Sequence, residues 1–280
     1  MGQNPLVPLA DHTGAAQRAA AFARLHRGPG PLLMANAWDV GGAKLLAHIG
    51  FPALATTSAG FANSLGRRDG MVTRDEAVGH AAALAAATDV PVSADLENCF
   101  GDSPEDVAET VALAASSGIA GCSIEDWDPG DKSFYDVGLA ADRVAAAAAA
   151  AHSGPVRLVL TARADNHFRR VDDLDDTIAR LQAYERAGAD VLYAPGVTDR
   201  DGIARIVDAV GLPVNVLVLP GTPPLSELTQ LGVARISVGS GFALTAYGAL
   251  IEAGRGLLER GTYDFWELAG KAYELRSAFG

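Results

Sequence analysis

The stretch Val90-Pro91-Val92-Ser93-Ala94-Asp95-Leu96-Glu97 decides the fold. Its apolar, β-rich run over Val90–Ala94 stops at two carboxylates, and an amphipathic stretch, Ser103–Ser117, follows. A second apolar run, Ala120–Ile124, then ends in Glu125. Strand, helix, strand in this order is a βαβ unit, whose two strands lie parallel. The same alternation recurs in both directions. Further strand candidates are Pro31–Asn36, Ala53–Thr57, Val156–Thr161, Val191–Ala194, Val214–Val218 and Ala234–Val238. Helix candidates between them include Thr73–Thr88, Leu139–His152, Asp172–Ala187, Asp199–Ala209 and Pro224–Leu231.

Eight strands alternating with helices predict an α/β protein of the (β/α)8 TIM-barrel type. An open dinucleotide-binding sheet fits less well, because no Gly-x-Gly-x-x-Gly opens a first helix. Thr73 with Glu76, and Ser103 with Pro104 and Glu105, are helix-start signals. Gly118, Gly188 and Gly232 sit where left-handed helix ends are expected. An extra helix, Gln17–Leu25, precedes the first strand. A long helix, Phe242–Arg260, and a terminal one, Phe265–Phe279, follow the last. The terminal helix carries the stripe Phe265, Trp266, Leu268, Ala272, Tyr273 and Leu275, which calls for a partner surface. No linker or composition shift divides the chain, so residues 1–280 read as one domain.

Composition narrows the function. With 280 residues, 49% of them hydrophobic, the chain can bury a large core. A net charge of −12 argues against nucleic acid as a partner. No apolar run approaches the roughly 18 residues of a membrane span. The start of the chain lacks a basic segment followed by an apolar one, which predicts a cytoplasmic protein. Two cysteines, Cys99 and Cys122, suit a reducing compartment and are too few for a disulfide scaffold.

In a parallel barrel the C-terminal strand ends form one rim, where catalytic groups gather. The strand ends here supply Trp38, the segment Ser58-Ala59-Gly60, Asp69, Asp95 and Glu97, Glu125, Arg163, Tyr193 and Asn215. Carboxylates brought together without a counter-charge repel one another, and a divalent cation relieves that cost. Oxygen-only ligands select Mg²⁺, with Mn²⁺ as the alternative. Arg163 offers a fork for a substrate carboxylate or phosphonate.

Ala94-Asp95-Leu96-Glu97-Asn98-Cys99-Phe100-Gly101, Ser123-Ile124-Glu125-Asp126 and Thr161-Ala162-Arg163-Ala164-Asp165 resemble motifs of the isocitrate lyase/phosphoenolpyruvate mutase superfamily. Pro31–Asp39, Thr57–Gly60 and Gly66–Asp69 extend the resemblance, which runs from about residue 30 to 245. It implies that Asp95 contacts Mg²⁺ directly and that Asp69, Glu97 and Glu125 hold its water. Arg163 and the backbone around Ser58, Ala59 and Gly60 would bind a 2-oxo acid carboxylate. It also implies a homo-oligomer, a dimer or tetramer, in which the terminal helix packs on a neighbouring subunit. Packing of that helix on its own barrel is the alternative.

The loop after the fourth strand departs from the resemblance. Lyases carry a Lys/Arg-x-Cys-Gly-His segment there, whereas this chain reads Trp127-Asp128-Pro129-Gly130-Asp131-Lys132-Ser133-Phe134-Tyr135-Asp136, with neither Cys nor His. Lys132 and Tyr135 are the loop's candidates for proton transfer, and His167 is a further candidate base. Cys99 reads as a small buried residue, with a reactive thiol second. Gly239-Ser240-Gly241 is similar to a phosphate-binding turn. The leading expectation is an Mg²⁺-dependent lyase that cleaves or decarboxylates a small 2-oxo acid or 2-hydroxy polycarboxylate. Phosphoenolpyruvate or phosphonopyruvate chemistry at a P–C bond, by a mutase or hydrolase, is the second. A barrel that binds a small acid without catalysis is the third.

Overall fold

Ten strands organise the described residues: β1 (Leu32–Asn36), β2 (Leu54–Ala55), β3 (Val92–Asp95), β4 (Gly121–Glu125), β5 (Trp127–Asp128), β6 (Ser133–Phe134), β7 (Val159–Arg163), β8 (Val191–Tyr193), β9 (Val214–Leu217) and β10 (Arg235–Ser237). In this computed structural model, which describes residues 12–279, eight of them close a parallel barrel in the order β1-β10-β9-β8-β7-β4-β3-β2. β5 and β6 form a separate antiparallel hairpin in the loop after β4. The predicted TIM barrel is therefore present, and the hairpin is an addition within a segment read as plain loop.

The helices are α1 (His12–Leu25), α2 (Val40–His48), α3 (Ser58–Ser64), α4 (Arg74–Ala87), α5 (Pro104–Ala115), α6 (Val137–Ser153), α7 (Leu174–Arg186), α8 (Arg200–Ala209), α9 (Leu225–Gln230) and α10 (Gly241–Arg255). Thr73 and Glu76 form the expected reciprocal cap on α4. On α5 the partner of Ser103 is Asp106, three residues on, rather than the neighbouring Glu105. Gly118, Gly188 and Gly232 take the left-handed conformation that stops a helix.

The C-terminal region departs from the expectation. The helix predicted over Phe242–Arg260 changes to a π turn at Gly256–Arg260, which Gly261 ends at φ 63°. The predicted Phe265–Phe279 helix is broken into α11 (Phe265–Ala269), a 3-10 segment (Gly270–Glu274) and α12 (Leu275–Ala278). Its last turn returns to α2, where Ser277 Oγ lies 3.3 Å from His48 Nε2. The apolar stripe otherwise faces outward, with Trp266 67% and Tyr273 69% exposed.

Alternation along each strand sets what the barrel contains. On β4, Cys122 and Ile124 belong to the apolar layer, whereas Ser123 and Glu125 line the interior. Small or polar residues recur on the inner face: Ala55, Ser93, Asn215 and Ser237. They leave a cavity of about 540 Å³ instead of filling the barrel.

α1 seals the opposite end. Phe22 is fully buried, and a Cβ on Gly121 would lie 2.8 Å from its ring and 2.6 Å from the Val159 carbonyl. Glycine at the start of β4 is what lets α1 approach this closely.

Candidate active site

The cavity opens at the C-terminal strand ends and is lined there by Asp69, Asp95, Glu97, Glu125, Arg163 and Arg169. Asp95 ends β3. Its backbone N–H donates to Thr56 Oγ1 at 2.8 Å, and its carboxylate accepts from the Ser58 N–H at 3.1 Å. Glu97 lies two residues on, with its backbone in the left-handed region at φ 50°. Glu125 ends β4 and Arg163 ends β7, and these strands pair so that the two residues stand side by side.

Arg163 is the electrostatic centre. It meets Glu125 at 2.9 Å, Asp165 at 3.2 Å and Asp95 at 3.3 Å. Burial alone would lower its pKa, but Asp165, Glu125 and Asp95 together hold it well above the ordinary arginine value. Arg169 adds a second cation, 3.5 Å from Glu125 and stacked 4.7 Å over the Trp127 ring.

The acids still outnumber these two cations. Burial raises the Glu97 carboxyl to about 8, and the charges of Asp95 and Asp69 push the same way. Burial likewise holds Glu125 well above the usual carboxylate range, against the pull of Arg163. Asp69 is exposed as a residue, yet protein crowds its carboxyl, and this desolvation with the Asp95 charge raises its pKa. The site is thus short of positive charge, as a cation-binding pocket should be. Among the described residues, however, no three His, Cys, Asp or Glu side chains stand close enough together to ligate one ion directly. The acids converge on one cavity, and a cation among them would be held largely through water.

Of the substrate-binding candidates, Ser58, Ala59, Tyr193 and Asn215 line the cavity with Arg163. Gly60 does not; it sits in the α3 turn, where an added Cβ would lie 2.6 Å from Thr57 and 3.0 Å from Trp38. Trp38 is likewise a packing residue outside the lining, and its carbonyl lies 3.0 Å from His80 Nε2.

Both proton-transfer candidates of the loop lie elsewhere. Lys132 is exposed in the β5–β6 turn with φ 53°. Tyr135 turns inward: its hydroxyl donates to Asp102 at 2.7 Å and accepts from Asn98 at 3.2 Å, and its ring covers Arg143 at 4.0 Å. Burial pushes its pKa up to about 12. The hairpin explains both corrections, because it points position 132 to solvent and tucks position 135 beneath the β3–α5 loop.

Other sequence candidates also find structural explanations. His167 Nδ1 pairs with Asp172 at 3.2 Å, and its buried Nε2 has no partner among the described residues. Cys99 is fully buried, and burial lifts its thiol pKa well above the ordinary value. In the Gly239-Ser240-Gly241 turn, the Gly239 N–H is taken by Asn36 Oδ1 at 2.9 Å and the Gly241 N–H by the Val238 carbonyl at 2.9 Å. Neither donor is free for a phosphate. Asp126 is an internal anchor, accepting from Tyr184 Oη at 2.5 Å and Arg180 at 3.1 Å.

Sequence reasoning missed Arg169 and Arg235, both of which line the cavity. Arg235 had a readable signal: an arginine inside the otherwise apolar strand Ala234–Val238. Arg169 had none, since its approach to Glu125 depends on how the loop after β7 folds back.

Known proteins give this geometry a context. A sequence model described as phosphoenolpyruvate phosphomutase matches residues 22–258. An uncharacterized protein of Mycobacterium tuberculosis is 36% identical over 222 residues, covering 79% of this chain and 82% of its own length. The 2,3-dimethylmalate lyase of Eubacterium barkeri is 30% identical over 206 residues, covering 70% of this chain and 71% of its own length. Among solved structures, a candidate lyase/mutase of Burkholderia cenocepacia J2315 is 50% identical, with a TM-score of 0.88, covering 91% of this chain and 92% of that one.

Proposed function

This chain belongs to the phosphoenolpyruvate phosphomutase family, within the isocitrate lyase/phosphoenolpyruvate mutase superfamily, and from that premise we propose a magnesium-dependent lyase that breaks a C–C bond in a small 2-oxo or 2-hydroxy acid. One observation carries the reading: Asp69, Asp95, Glu97, Glu125 and Arg163 line a single cavity at the strand C-termini. Oxygen-only donors whose carboxyls are held up by burial and mutual repulsion suit a hard divalent cation. Asp95 would contact the ion, and Asp69, Glu97 and Glu125 would hold its water; Mn²⁺ would fit the same set. The ion's contribution would be positive charge beside the oxygen on which electron density gathers when a bond next to an oxo acid breaks.

The protein's own residues bind and orient. Arg163 presents a planar fork inside the cavity, and Ser58 and Ala59, in the first turn of α3, line the same cavity. Arg163, which pairs with Asp95, Glu125 and Asp165, would hold a substrate carboxylate through that fork, beside the acids that would hold the cation. Trp127, Pro129 and Phe168 supply apolar wall at the mouth and reduce the water around the reacting bond. Small carboxylates are the substrate class, and a second copy of the chain is the partner the outward-facing C-terminal stripe calls for.

Oxalate, a planar mimic of the enolate, tests this reading. With Mg²⁺ present it should raise the melting temperature, and Asp95→Ala should abolish the shift. No shift in the wild type would sink the metal-and-oxo-acid assignment. Product analysis on a 2-oxo diacid, a 2-hydroxy diacid and phosphonopyruvate then assigns the bond. Turnover of phosphonopyruvate alone would replace C–C with P–C cleavage.

A further inference from the structure

Arg235 begins β10 deep in the barrel and is 2% exposed, yet it has no acidic partner among the described residues. Among the described residues its hydrogen bonds go to neutral acceptors. Nε donates to Asn215 Oδ1 at 2.9 Å, and Nη1 donates to Thr161 Oγ1 at 3.1 Å and to His26 Nε2 at 3.3 Å. His26 is neutral and correctly oriented for this, because its Nδ1–H is spent on the Phe22 carbonyl at 2.9 Å. Nη2 has no partner among the described residues, and Arg235 lines the same cavity as Arg163.

Burial lowers the Arg235 pKa to about 10, which still leaves it a cation at neutral pH. A buried charge without a counter-ion is costly, and it is tolerated where an anion is meant to arrive. The contrast with the mouth is sharp. Arg163 and Arg169 are both engaged by carboxylates, whereas Arg235 meets no carboxylate among the described residues.

We propose that Arg235 is the anion receptor at the cavity floor, and that the substrate is a diacid whose second carboxylate docks on its Nη2 edge. This rests on the oxo-acid reading for the first carboxylate and adds the substrate's second charge and its direction. The molecule lies along the barrel axis, one acid group at the mouth and one at the floor. A carboxylate held by an arginine is stabilised as an anion, so the floor carboxylate is one that the substrate keeps. Arg235 thereby sets specificity, selecting diacids over monoacids of the same length.

Succinate and butyrate, equal in carbon number and different by one carboxylate, are the probes, measured by calorimetry with Mg²⁺ present. The wild type should bind succinate at least about tenfold more tightly, and Arg235→Gln should shrink that preference to about threefold or less. Oxalate, whose carboxyl groups are directly bonded, reports the mouth and should bind both proteins alike. Survival of the succinate preference in Arg235→Gln, or its absence in the wild type, overturns the proposal. Loss of oxalate binding alone would overturn the metal reading and leave this one standing. If Arg235→Gln does not fold, a wild-type crystal soaked in succinate decides. A carboxylate beside Arg235 Nη2 supports the floor site, and succinate bound only at the mouth removes it.

Discussion

Arg163 shows why a single side chain can matter for both stability and function. It is buried among Asp95, Glu125 and Asp165, so its removal takes a cation from three carboxylates at once and leaves Glu125 and Asp165, among the described residues, only the more distant Arg169. Arg163→Gln should cost about 3 kcal/mol or more by urea denaturation, since breaking a buried ion pair leaves uncompensated charge. His26 governs a different condition. Burial first, and then the Arg235 charge, lower its pKa from 6.5 to about 3. The unfolded chain therefore binds a proton that the folded chain refuses throughout that interval. Its contribution is complete above pH 6.5 and is lost on acidification, by up to about 1.4 kcal/mol per pH unit. His26→Gln should flatten the acid limb of the stability profile relative to the wild type, read by denaturant melts from about pH 4 to pH 7. An unchanged slope would mean that His26 is protonated in the fold.

The β3–α5 loop is the element that presents Glu97, and its backbone is unusual. Glu97, Cys99 and Phe100 all have φ between 50° and 63°, a region that side chains disfavour. Arg143 on α6 holds the loop in place: Nη2 donates to the Asn98 carbonyl at 2.6 Å, and Nη1 donates to the carbonyls of Gly101, at 2.7 Å, and Asp102. Thr110 on α5 adds a bond to the Cys99 carbonyl at 2.9 Å, and Tyr135 covers the guanidinium. Arg143→Met should raise hydrogen exchange across residues 98–102 and weaken acid-ligand binding without touching the cavity. At the start of β4, Gly121→Ala should cost about 2 kcal/mol, because the backbone oxygen that the new methyl meets cannot move aside. The helix starts around this loop were legible because a cap is a local bargain between residues three apart. The loop was not, since Glu-Asn-Cys-Phe contains no glycine to mark its left-handed turns. Its shape is imposed by an arginine more than forty positions away in sequence.

At the scale of the whole molecule, the barrel was legible because eight repeats of one pattern leave few alternatives. The acid ring was legible because strand C-termini share one rim. Tyr135 was not read correctly, because which way a side chain turns depends on neighbours that only the closed barrel brings. The C-terminal face leaves much apolar surface uncovered, with Leu250 66%, Leu258 87% and Trp266 67% exposed. Patches of this kind mark protein contacts. Sedimentation velocity should give a particle heavier than the 28.8 kDa chain, and Leu258→Glu with Trp266→Glu should return it to that mass. Closure itself has a kinetic consequence. β1 pairs with β10, and Asn36 Oδ1 accepts from the N–H groups of Val238 and Gly239, some 200 residues on. A ribosome releases β1 long before its second neighbour exists, so that strand waits with one edge bare. Synthesis must pass residue 239 before the ring can shut, which makes the late-arriving end of the chain the step on which cooperative folding turns.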